Sequence, residues 1–577
     1  MALQTKIEDR IDVGPLTDLQ RVGVKVIPAG DRSVAVFYSD GDVYAVDNRC
    51  PHMGFPLSRG TVRDGILTCH WHHAKFDLAG GCTFDPFADD VTSFNVEVED
   101  GRIWLAPEPI EEDRREHWLR KVDEGLEQNI SLVLAKAVIG LNGMNETTEV
   151  LRRAAVFAVQ NRAGGWSDGL SILTAMANVL DYIDPEDRPL ALFHGLQNVA
   201  RATQGQTADF DLPPLTTDEA RPERFIDWFR RFAEVRAADA CERTLRTAID
   251  IGLKRTDIEI MIFGAITDYL FLDGGHTLDF ANKSFELVGH IGWSESQEIL
   301  PSLVPQIVNA RRMEESSSWR HPVVLPDLLN ATYLELDAAI EQGSESPREW
   351  EGHREIAELV IDGKPQETLG AMLQLLREGV ALTELSSAVA YAAALRLAHF
   401  RVTNEFGDWD TVHHTFTYCN GVDQSLRRSP SNLTARGIFD GAMAVYLDRF
   451  LNVPKQAIPE QSGGSPGRED LLSLFDEQGK VDETARVVRD MISADGPDSV
   501  IAVLGHALLR EDAGFHMFQV FEAGVRQYGN FRGRPEGDEI LIGVARFLSA
   551  HSPTVRARRQ TFDIAARLHR GESLSDE

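Results

Sequence analysis

The chain has 577 residues, 43% of them hydrophobic and 26% charged, with a formal net charge of −32. Those proportions exclude wholesale disorder and suit roughly two to four globular domains. The acidic excess excludes nucleic-acid phosphates and anionic membrane surfaces as partners, because both need a basic face. Five cysteines are too few for a disulfide framework. No run nears the roughly 18 apolar residues of a membrane span, and the start, MALQTKIEDR, carries acids where a signal peptide would be basic, so the expected location is the cytoplasm.

In chain order, Val22–Pro28, Ser33–Tyr38 and Val43–Val46 are short β-branched runs separated by turns at Gly30-Asp31 and Gly41-Asp42. Val91–Glu99 alternates with period two, and Ile103–Leu105 follows the Asp100-Gly101 turn. The spacing predicts a small antiparallel β domain over residues 1–108. Pro107–Arg115 (PEPIEEDRR) reads as a linker, drawn over 109–127. Beyond it the texture is all-helical, with periodic segments such as Thr147–Gln160, Leu170–Tyr182 and Leu385–Phe400. The fold class is therefore multidomain: a small all-β domain, then a large all-α region.

That helical region reads as internally duplicated. NETTEVLRRAAVFAVQ followed by LSILTAMANVL parallels PQETLGAMLQLLREG followed by LSSAVAYAAAL, and Arg243 to His276 parallels Arg486 to His516. The expected copies span 128–310 and 350–540, joined by a connector at 311–349 and followed by a C-terminal helix and tail at 541–577. Ser462–Arg468 (SGGSPGR) reads as an exposed insert in the second copy.

The strongest chemical signal is Cys50-Pro51-His52, sixteen residues, then Cys69-His70-Trp71-His72. Paired Cys/His ligands on two loops of a β domain resemble the Rieske iron–sulfur family, as do Gly54, Leu57 and Gly60 and then Phe76, Asp77 and Gly80-Gly81. Zinc would accept the same four ligands, yet its usual pairs are C-x-x-C and H-x₃₋₅-H. The resemblance implies a [2Fe-2S] cluster, with Cys50 and Cys69 on one iron and His52 and His72 on the outer one. Two departures stand out: His70 where many members have Pro, and His73 where many have Gly. Phe55 and Trp71 occupy the positions of a disulfide found in respiratory members, which places this domain with the ferredoxin and oxygenase branch. Cys82 reads as a buried small hydrophobe, and Cys241 and Cys419 as helical core residues.

A Rieske cluster moves single electrons and serves chemistry elsewhere. The iron motif of ring-hydroxylating relatives, an acid shortly before H-x₄-H, does not occur here, nor does a flavin or nicotinamide fingerprint. The electron donor is thus expected to be a separate reductase or ferredoxin, and the acceptor a small molecule or O2; a homo-oligomer is left open. In the proposed repeats His276 and His516 match, as do His194 and His414. Together with a carboxylate such as Asp512 or Asp273 they are the candidate ligands of an additional iron or other transition metal, on facing helices. Tyr418, one turn after His414, could support it; His290 could be structural or functional. His117, His321, His353, His551 and His569 read as surface residues, and Trp319 as part of an exposed helix end. The expected function is a Rieske-dependent, oxygenase-like oxidoreductase. The alternative is a non-catalytic electron carrier or redox sensor whose helices form a docking scaffold.

Overall fold

The computed structural model describes residues 10–30, 32–110 and 113–572. Asp31 of the first predicted turn, Glu111 and Glu112 of the predicted linker, and the start of the chain lie outside them. The chain divides into two compact units, Met1–Glu146 with Gln560–Glu577, and Thr147–Arg559.

The first unit is β-rich, as its alternating sequence requires. Its strands are β1 (Ile11–Pro15), β2 (Val24–Ala29), β3 (Arg32–Ser39), β4 (Asp42–Asp47), β5 (Thr61–Arg63), β6 (Ile66–Thr68), β7 (Lys75–Asp77), β8 (Ser93–Glu99) and β9 (Arg102–Pro109), with a short helix α1 (Leu16–Val22) after the first. Six form an antiparallel sheet in the order β1-β9-β8-β4-β3-β2, and β5-β6-β7 form a second. The period of two decides what β3 covers: Val34 and Val36 join Phe94, Ile103 and Leu105 in one core. Ala35 and Phe37 face the other way and join Leu57, Leu67, Phe76 and the two motif cysteines, Cys50 and Cys69. The motif loops therefore grow directly out of a hydrophobic core.

The predicted linker is largely structured. β9 runs to Pro109, and a helix, α2 (Arg114–Gln128), starts after Asp113, whose carboxylate accepts from the backbone N–H groups of Arg115 and Glu116. Leu119, Val122 and Leu126, spaced by three and four, give this charge-rich segment a buried stripe, which acidic composition had masked. His117, read as a surface residue, is buried with Nε2 at 3.0 Å from Asp89. A second helix, α3 (Ser131–Leu141), packs back on α2, and the unit extends to Glu146 rather than ending at 108.

The second unit is helical. Its helix His276–Ile291 is buried on nearly all sides, and Gly421 of helix Phe406–Arg428 lies against it; a Cβ there would come 2.8 Å from Leu278 and 3.6 Å from the Asp279 Cα. The internal duplication is not confirmed by the fold. Cys241 and Cys419 are buried, whereas Cys82 is exposed, just past the Gly80-Gly81 turn that breaks the strand alternation. Trp319 is also buried rather than exposed, its ring 6.1 Å from that of Phe271. Likewise His353 is buried, with Nε2 2.8 Å from Glu384. No helix among the described residues is long and apolar enough to cross a membrane.

The contact between α2 and α3 supplies a test. A Cβ on Gly140 would lie 2.2 Å from the Trp118 ring, so Gly140→Val should destabilise the first unit by about 1–3 kcal/mol. Thermal denaturation followed by the visible absorbance of the loaded protein would register it.

Candidate metal centres

Cys50 and His52 lie in the loop between β4 and β5, Cys69 and His72 in the loop between β6 and β7. The two loops close by the same pair of backbone hydrogen bonds. Cys50 N–H donates to the Phe55 carbonyl at 2.8 Å and Gly54 N–H to the Cys50 carbonyl at 2.8 Å. Cys69 N–H donates to Ala74 at 2.9 Å and His73 N–H to Cys69 at 3.0 Å. Each turn needs a left-handed residue at the same place, Gly54 with φ +83° and His73 with φ +62°. That explains why Gly is the common choice at the second position and why His73, with its Cβ, is the costlier one. His70 accepts the role of a surface partner instead, with Nε2 at 2.5 Å from the Thr61 hydroxyl.

Both thiols are buried and act on each other. That contact, followed by burial, raises Cys50, and the same contact lowers Cys69 to about 6. The rings of His52 and His72 lie 4.8 Å apart. Burial lowers His52 to about 4, and its Nδ1 is buried without a hydrogen-bond partner in the chain. Two adjacent soft sulfurs and two imidazoles, one of them held neutral by burial and with an orphaned nitrogen, fit an iron–sulfur cluster. Phe55 and Trp71 face each other across the loops with rings 6.1 Å apart. His72 is exposed and His52 half-buried.

A feature outside the motif bears on this site. The Lys136 ammonium, carried by α3 and buried, donates to the Pro51 carbonyl and, at 3.3 Å, to the His52 carbonyl. Burial lowers Lys136 to about 8, while Asp89 pulls the other way. No spacing in the sequence ties residue 136 to the loop at 50.

In the second unit three histidines from three helices converge. His276 begins helix His276–Ile291, His414 lies within Phe406–Arg428, and His516 sits in the first turn of Phe515–Asn530. One ring nitrogen from each lies within 4.8 Å of the others, and the Nε2 atoms of His414 and His516 are 3.1 Å apart. An ion with bonds of about 2.1 Å would hold neighbouring ligand nitrogens roughly 3.0–3.4 Å apart. Gly275 makes the approach possible: its φ is +98°, and a Cβ would lie 3.2 Å from both Phe271 and Tyr418. Asp410 accepts from His516 Nδ1 at 2.8 Å, which leaves Nε2 as the inward, unprotonated nitrogen. Burial and the neighbouring imidazoles lower His276, and they lower His414 to about 3. Neutral imidazoles with inward lone pairs are what a transition metal takes. His413, fully buried behind them with neither nitrogen hydrogen-bonded, packs 4.7 Å from the His516 ring.

Three nominated ligands are not with this group. His194 is buried with Nε2 3.0 Å from the Leu509 carbonyl. Asp512 caps helix Ala557–His569, its oxygens accepting from the N–H groups of Ala557 and Arg558. Asp273 is exposed and in the left-handed region. Tyr418 reaches Asp440, at 3.5 Å, rather than His414. Asp410, absent from the sequence reading, lies 106 residues from the His516 it holds, so no spacing in the chain pointed to it.

Comparison with known proteins identifies the β domain. Residues 9–95 match the family model described as Rieske [2Fe-2S] domain. The ferredoxin component of an alkene monooxygenase system from Xanthobacter autotrophicus is 32% identical over 101 residues, 17% of this chain and 83% of that protein. A 4beta-methylsterol monooxygenase of Methylococcus capsulatus is 43% identical over 95 residues, 15% of this chain and 26% of that protein. Human apoptosis-inducing factor 3 is 28% identical over 179 residues, 30% of this chain; the chain spans only 26% of its length. A domain of this kind binds a [2Fe-2S] cluster and transfers electrons, and its partners are redox proteins such as reductases or oxygenases.

Two outcomes follow from the charges. Lys136→Met removes a cation from the cluster loop and should lower the cluster's midpoint potential in a dye-mediated titration, since the reduced cluster carries more negative charge. An unchanged potential would remove Lys136 from that role. His194 and His414 take up protons only near 4 and 3 in the folded chain, against 6.5 ordinarily. Between those values the unfolded chain binds more protons, so stability falls as pH drops from about 6.5 toward 3–4. Urea midpoints of the metal-free protein should be lower near pH 5 than near pH 7.

Proposed function

Because the N-terminal domain of this chain belongs to the Rieske [2Fe-2S] family, we propose that the chain is a Rieske-dependent oxidoreductase in which that domain feeds single electrons to a metal centre in the helical unit. Cys50 and Cys69 would hold the inner iron, and His52 and His72 the outer one. When bound, the cluster supplies one-electron transfer at a potential raised by its neutral imidazole ligands. The exposed His72 offers the edge for docking a donor, a separate reductase or ferredoxin. His276, His414 and His516 would bind an iron or other transition-metal ion, with Asp410 setting the tautomer of His516. All three are partly exposed, so O2 or a small organic substrate can reach them, and the proposed reaction class is an oxygenase-like oxidation.

The convergence of His276, His414 and His516 carries this reading. Their placement on three helices favours a centre over a docking scaffold, which has no need of neutral histidines gathered at one point. Metal and acid-labile sulfide should amount to the cluster plus one further transition-metal ion per chain. In His276→Ala with His516→Ala the further metal should be lost while the Rieske electron paramagnetic resonance signal of the dithionite-reduced protein persists. Cluster iron alone in the parent protein would leave the electron carrier and sink the second centre.

A further inference from the structure

Below the three histidines lies a run of buried ionisable groups that ligand binding does not use. His276, Asp279, Lys283, Glu286 and His290 recur at intervals of three and four residues and so line one face of their helix from end to end. Asp279, Lys283 and Glu286 are buried, and the two terminal histidines are partly exposed. The lower part of the run is fully paired. Lys283 Nζ lies 2.9 Å from Glu286 and 2.6 Å from Glu522 of the His516 helix. The Asn178 amide donates to both carboxylates at 2.8 Å, and its oxygen meets His290 Nε2 at 2.8 Å. Arg526 approaches Glu522 at 3.3 Å, and Arg428 approaches Glu286 at 4.0 Å.

Asp279 differs from these. It stands one turn below His276, and Gln519 stands one turn below His516. Asp279 Oδ1 is buried without a hydrogen-bond partner, and so are both amide atoms of Gln519. Burial pushes the Asp279 carboxyl up to about 7, with Lys283 opposing the rise and Glu522 and Glu286 adding to it. An incompletely bonded buried carboxyl is costlier than an apolar side chain of similar size, so packing alone does not account for it. Its position, between a metal-binding cluster and a fixed set of charges, suits a group whose protonation answers to the charge above it.

We propose that Asp279 is the proton-loading group of the three-histidine centre. This rests on the reading of that centre as a redox metal site. With the cluster and the metal ion bound, one-electron reduction of the ion by the reduced cluster would add negative charge beside Asp279, and one proton taken from solvent would match it by forming the O–H bond of the Asp279 carboxylic acid. Oxidation of the centre by one electron releases that proton again. Lys283, Arg526 and Arg428 hold Glu286 ionised, and Glu522 is tied to Lys283 and Arg526 in ion pairs, which leaves Asp279 as the carboxyl without such a partner to take the proton.

The test uses the full-length protein with its cluster, loaded anaerobically with ferrous iron, and reads redox-difference infrared spectra in H2O and D2O. Reduction should produce a carboxylic-acid C=O band that shifts in D2O, disappears in Asp279→Asn and returns at an altered frequency in Asp279→Glu. The midpoint potential of the helical iron should fall with rising pH around neutrality in the parent and lose that slope in Asp279→Asn, with iron content unchanged. A band or slope that survives in Asp279→Asn overturns the proposal while leaving the centre standing. If the parent binds no more iron than His276→Ala, the centre fails and the proposal fails with it.

Discussion

Two thiols buried side by side are the constraint on which the first unit is built. Ionised together in an apolar core Cys50 and Cys69 would repel strongly, and a cationic group bound between them would relieve that repulsion. The loops that bring them together are two copies of one turn, each pinned by the same two backbone hydrogen bonds and each needing a left-handed residue. The sheet supplies rigidity, because both cysteines belong to the core that Ala35, Phe37 and Val46 form beneath them. Position is thus fixed by packing, leaving the cluster to satisfy the charge.

The helical unit meets a different constraint with the same economy of means. Imidazoles are brought together by close helix contact, and glycine permits it at two points. Gly421 lets one histidine-bearing helix lie against another, and Gly275 turns the chain into His276 through a conformation that side chains disfavour. Crowding and burial then favour the neutral form of His276 and His414, which is the ligand form.

How much of this was legible in the sequence depended on whether chemistry or tertiary packing set the pattern. The C-x-H and C-x-x-H pairs were legible because iron dictates both donor type and loop length. The β texture of the domain was equally plain from its alternation. α2 was hidden because Arg114–Gln128 is mostly charged, and only Leu119, Val122 and Leu126 show its stripe. Among the helical nominees, His276, His414 and His516 come together, but His194 and Asp512 are taken up by a carbonyl and a helix cap. A buried histidine that satisfies a carbonyl and one that faces a metal have the same sequence surroundings. Asp410 and Lys136 act across long separations in the chain, on His516 and on the His52 loop, which no local spacing encodes.

The cover that α3 lays on the His52 carbonyl, set against the exposure of His72, makes the cluster unequal toward water. Solvent dipoles must reorient whenever charge arrives at an exposed edge, whereas fixed protein groups are already oriented. The His72 edge therefore carries most of the solvent reorganisation that accompanies each electron. The His52 edge, backed by a buried ammonium and a helical hairpin, is the stiffer dielectric side. An electron leaving from there would have less water to rearrange than one leaving past His72, although the two imidazoles are chemically alike.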